Sequence, residues 1–108
     1  MKDERDFHQK ISDSIDRGFD ALGDSVELVF YLMLERDFGI SKEEVATRPD
    51  ELAEALKRVF GSSGRDFLIR LISDEIVREF DLPESSEKKS VPELLKEAHK
   101  KYMLESNG

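Results

Sequence analysis

The chain has 108 residues and no cysteine, which excludes disulfides, thiolate metal sites and thiol nucleophiles together, and fits a cytoplasmic protein. It has no long apolar run either. The longest, Leu28 to Leu34, falls far short of the ~20 residues that cross a bilayer, so no membrane association is expected. The first residues, Met1 to Asp6, are mostly charged and lack the apolar stretch of a secretory leader, so none is expected. Positive charge is scarce: the formal net charge is -8, with ten acids against five bases in residues 1–40 and five against five in residues 84–108. Nucleic-acid binding is driven by phosphate neutralisation, and an acidic chain without a basic stripe argues against such a partner. Histidine is limited to His8 and His99, nearly a chain length apart and each in a charged stretch. Zinc or general-base chemistry needs convergent ligands, such as two histidines on successive turns, and none is placed by spacing. Both histidines are therefore expected on the solvated surface, with no metal and no cofactor.

What the chain has in quantity is three-to-four-residue apolar periodicity, the mark of amphipathic helices. Phe7, Ile11, Ile15, Phe19 and Leu22 give a helix from about Glu4 to Leu22, stopped by Gly23, with Asp24 or Ser25 as the next cap. Val26 to Phe38 is apolar on nearly every side and is expected to be the central helix, closed by Gly39. Ser41-Lys42-Glu43-Glu44 fits a capping box for a short helix to about Ala46. Pro49, Asp50 and Glu51 open another helix, with Leu52, Ala55, Leu56, Val59 and Phe60 inward and Gly61 as its stop. A cap from Ser63 and Asp66 leads to a helix ending at Phe80, with Leu68, Leu71, Ile72, Ile76 and Phe80 on its inner face. Residues 83–90 are polar and Ser-rich and read as a linker. The last helix, residues 91–105, carries a narrow stripe of Val91, Leu94, Leu95, Ala98 and Tyr102, either docked or presented to a partner. Lys96, His99, Lys100 and Lys101 make its outer face basic, suited to an acidic partner or to the acidic first helix. The architecture this predicts is all-α: a compact bundle of four to five helices over residues 1–82, then the linker and a C-terminal helix.

Three stretches carry chemistry worth weighing. Asp13 to Asp24 has the length of a calcium loop, yet Ile15 and Arg17 stand where oxygen ligands are required, so these are helical surface acids. Ser62, Ser63, Gly64 and Arg65 at a helix start have the groups for an anion site, although the loop lacks the Walker spacing and lysine and also serves as a plain helix-helix corner. Phe30, Tyr31, Met33 and Phe38 form an aromatic-methionine stripe that belongs to a core more readily than to a ligand cavity. No two acid-base groups are brought together by spacing, which points away from an enzyme.

The order of punctuation and core residues has a counterpart: Leu22-Gly23, Leu34-Glu35-Arg36-Asp37-Phe38-Gly39-Ile40, Pro49, Val59-Phe60-Gly61, and Gly64 before a long apolar helix. Over residues 18 to 82 this resembles the Nitrosopumilus output domain family. The resemblance implies a small archaeal helical module that relays signals through protein contacts, with no established activity and no functional residues to transfer. The resulting expectation is a non-catalytic protein-interaction or signalling-output module. It would act on a protein partner or as a homodimer through the first or last helix. The alternative is a regulatory domain binding a small anion at Ser62 to Arg65.

Overall fold

The computed structural model describes residues 3–106; Met1 and Lys2, where the charged N-terminal stretch begins, lie outside them. Four α-helices and two short 3₁₀ helices make up the chain, with no strand among the described residues. Helix α1 is Glu4–Phe19, capped by Asp3, whose carboxylate accepts from the Asp6 N–H at 2.9 Å. It stops before Leu22 because the N–H groups of Leu22 and Gly23 both turn back to the Phe19 carbonyl, and Gly23 takes φ +97°. Helix α2, Asp24–Phe38, therefore starts directly after Gly23, and Asp24 and Ser25 sit inside its first turn instead of capping it. The first 3₁₀ helix, Lys42–Thr47, opens with the expected capping box of Ser41 and Glu44.

Helix α3, Pro49–Phe80, is broken at Gly61, whose φ of 76° and ψ of 175° are not helical. It is two arms, residues 49–60 and 62–80, joined at the glycine that the sequence marks as a stop. Its end is a left-handed Asp81, after which the Leu82 N–H returns to the Val77 carbonyl at 2.9 Å and the Leu82 side chain is buried. The second 3₁₀ helix is Glu84–Lys88 and helix α4 is Val91–Ser106.

The core places α1 in the middle. Phe7, Ile11, Ile15 and Phe19 are all buried, and Gly18 lets α1 lie directly on the backbone of Ile72. Two aromatic clusters close the ends: Phe7, Phe80 and Tyr102 at one, with centroids 5.4 to 6.0 Å apart, and Phe19, Phe30 and Phe60 at the other, 5.2 to 6.3 Å apart. The Lys10–Glu79 and Arg17–Glu75 pairs, at 3.3 and 2.9 Å, lie beside this α1–α3 seam.

Three expectations are corrected. Helix α2 is not central: only Phe30 and Leu34 are fully buried, while Leu28, Val29 and Leu32 are 61%, 61% and 60% exposed. An all-round apolar helix reads as surrounded, and here the surroundings within the chain cover one side only. The stripe of Val91, Leu94, Leu95, Ala98 and Tyr102 is no free interaction surface, because all five side chains are buried in the bundle core. The stretch 83–90 is no loose linker, since buried Ser86 donates to Glu97 Oε1 at 2.7 Å and Lys89 pairs with Glu97 Oε2 at 2.5 Å. A radius of gyration of 13.4 Å equals that of one compact domain of this length, about 13 Å, with α4 included.

Candidate functional site

The turn from Ser62 to Arg65 forms the first residues of the second arm of α3. Ser62 and Ser63 are exposed, and the Arg65 guanidinium is engaged by its neighbour Asp66 at 3.1 and 3.2 Å. Gly64 serves packing: a Cβ there would meet Phe60 Cβ at 2.6 Å. Among the described residues the side-chain partner shown at this turn is Asp66, and the Ser63–Asp66 cap is replaced by the Arg65–Asp66 pair.

The two histidines behave differently from their spacing. Both α1 and α4 pack on α3, and side chains from the start of α1 reach α4, so that His8 and His99 meet around one carboxylate. His99 Nε2 lies 2.5 Å from Glu4 Oε1, and His8 Nε2 lies 3.6 Å from Glu4 Oε2. The Phe7 ring stands between them, edge-on to His99 at 4.9 Å and to His8 at 6.1 Å. Next to it, the Tyr102 hydroxyl of the buried stripe donates to Asp6. These groups border an open cleft of about 430 Å³, completed by Thr47, Pro49 and Asp50 from the 3₁₀–α3 corner and by Pro92, Leu95 and Lys96 from α4. Both histidines keep solvent contact, as expected, but they are not unrelated. No local signal could have paired residues 91 positions apart; only the docking of α1 and α4 on α3 does so. Among the described residues, no group of three His, Asp or Glu side chains is placed to hold a metal ion.

A second polar cluster lies under α2. Lys42 Nζ holds Asp16 Oδ2 at 2.8 Å and stands 5.4 Å from the Tyr31 ring centre. The Tyr31 hydroxyl is buried there without a hydrogen-bond partner, and Asp16 Oδ1 and Glu27 Oε2 are buried with no partner other than each other. Burial first, then a hydrogen bond to the Asp16 carboxylate and its charge, push the Glu27 carboxyl up to about 8, against the opposing pull of Lys42. Glu27 consequently holds its proton well above the ordinary carboxylate range. Burial and the same two carboxyl groups also raise the Tyr31 phenol above its ordinary range. Phe30, Tyr31, Met33 and Phe38 belong to the core or pack against it, as the stripe predicts.

The outer side of α2 is the third feature. Leu28, Val29 and Leu32 share one exposed face, and a shallow groove of about 320 Å³ lined by Ser25, Val26, Val29, Val59 and Phe60 runs beside it. No helix among the described residues is long and apolar enough to cross a membrane. Comparison with protein-family models, curated proteins and solved structures gives no match to this chain.

Proposed function

We propose that the protein is a non-catalytic interaction module of the signalling-output kind, and that it pairs with a second copy of itself through the outer face of α2. The observation that carries this reading is the trio Leu28, Val29 and Leu32, each more than half exposed on one helical face beside an apolar groove. Contiguous apolar surface of this kind is uncommon on a monomer and marks interaction sites. Burying a branched side chain fully is worth about 1.5–3 kcal/mol, so the half-exposed trio in both copies supplies the centre of an interface. A twofold arrangement also suits the charges. With two α2 helices antiparallel and crossing between Leu28 and Leu32, Arg36 of one copy faces Asp24 of the other, and within its own copy Arg36 pairs with its neighbour Asp37. The resemblance over residues 18 to 82 points the same way and stands as part of the proposal.

Sedimentation equilibrium tests it. The wild-type chain is expected to dimerise, and Leu28→Asp with Leu32→Asp to give a folded monomer whose helical spectrum is unchanged, since both positions are on the surface. A strict monomer at millimolar concentration, or a dimer indifferent to both substitutions, removes the reading.

A further inference from the structure

We infer that the cleft between α1, α4 and the 3₁₀–α3 corner binds a small monocarboxylate with an apolar body, its carboxylate between His8 and His99 and its body against Phe7 and Leu95. This site lies away from α2 and is independent of the dimer.

Four observations build it. The volume, about 430 Å³, falls within the roughly 300–1,000 Å³ of small-molecule sites. The floor is apolar and rigid: Phe7 and Leu95 are buried, and Pro49, Pro92 and Ala46 make the walls. The polar groups converge, since two imidazole Nε2 atoms from opposite ends of the chain already address a single carboxylate, that of Glu4. Packing of both rings against Phe7 fixes their direction, so little ordering remains for a ligand to impose. Finally, Glu4 is a replaceable occupant. It lies in the first turn of α1 with its side chain 60% exposed, and can swing into water when another carboxylate takes its place.

The surrounding charges set the ligand class. Lys96 stands on the rim without an ion pair among the described residues and adds one cation for an incoming anion. Asp50 on the opposite wall, with the displaced Glu4 nearby, opposes a dianion such as phosphate. An acid with one negative charge and an aryl or alkyl body satisfies both ends of the cleft, whereas acetate satisfies only one.

The test is amide chemical-shift titration of the full chain with phenylacetate, acetate and inorganic phosphate. Phenylacetate is expected to give saturable shifts at Phe7, His8, Leu95 and His99, acetate much weaker ones and phosphate none. Glu4→Gln removes the competing charge and is expected to tighten phenylacetate several-fold. His99→Ala, checked for an intact spectrum, is expected to weaken it about tenfold, the value of a hydrogen bond to a charged group. Absence of saturable shifts with phenylacetate, weaker binding in Glu4→Gln, or phosphate bound as tightly as phenylacetate would each overturn the inference.

Discussion

Glu27 shows how one side chain sets a pH response. Unfolded, it loses its proton near the ordinary 4.5; folded, it keeps that proton up to about 8. Between these values the unfolded state binds fewer protons, so this group's contribution to stability is fully present below 4.5 and is lost as pH rises through 8. Glu27→Gln keeps a donor for Asp16 but cannot ionise. It is expected to match the wild type at pH ~4 and to exceed it by about 1–2 kcal/mol at pH ~8.5, a figure reduced for the partial exposure of the pair. Urea unfolding at the two pH values decides, and an identical pH slope in both proteins would refute it. Gly18 offers a second prediction, because two effects oppose one another. Alanine gains ~1 kcal/mol of helix propensity, but its Cβ would lie 2.8 Å from Ile72 Cγ1 and 3.2 Å from the Ile72 backbone nitrogen. A backbone atom cannot rotate away, so overpacking at ~1–3 kcal/mol prevails and Gly18→Ala should lower stability in thermal unfolding. Neither effect is legible in the sequence. Gly18 is one glycine in a helical pattern, and Glu27 is one acid among many until Asp16 and Lys42 are folded beside it.

Elements were far more legible than their arrangement. Gly23, Gly39, Gly61, Pro49 and the Ser41 box mark the helix boundaries to within a few residues, because capping and left-handed turns are local chemistry. Rank within the bundle is not local. The all-round apolar pattern of α2 and the narrow stripe of α4 suggest a buried and an optional helix, and packing reverses them. The energetic consequence is measurable. Leu94→Ala, at a fully buried position, should cost ~2–5 kcal/mol, whereas Leu32→Ala on α2 should stay within ~0.5 kcal/mol for the monomer. Denaturant unfolding of both variants gives the comparison, and near-equal losses would mean that the two helices are placed wrongly. The cleft was illegible for the same reason, since His8 and His99 become neighbours only when α4 docks.

For the molecule as a whole, the net charge of -8 opposes the approach of a second copy. If two copies meet through α2, added salt should tighten the dimer several-fold between low and physiological ionic strength, as screening shortens the reach of that repulsion. Sedimentation at two salt concentrations reads this directly, and dissociation by salt would point to an interface held by ion pairs instead. The Phe7, Phe80 and Tyr102 cluster carries a different consequence. A ribosome makes α1 before α3 and α4, so the ring at position 7 meets Phe80 and Tyr102 only after the chain between them has been made. That nascent helix must wait, protected or exposed, for partners that follow much later in the sequence.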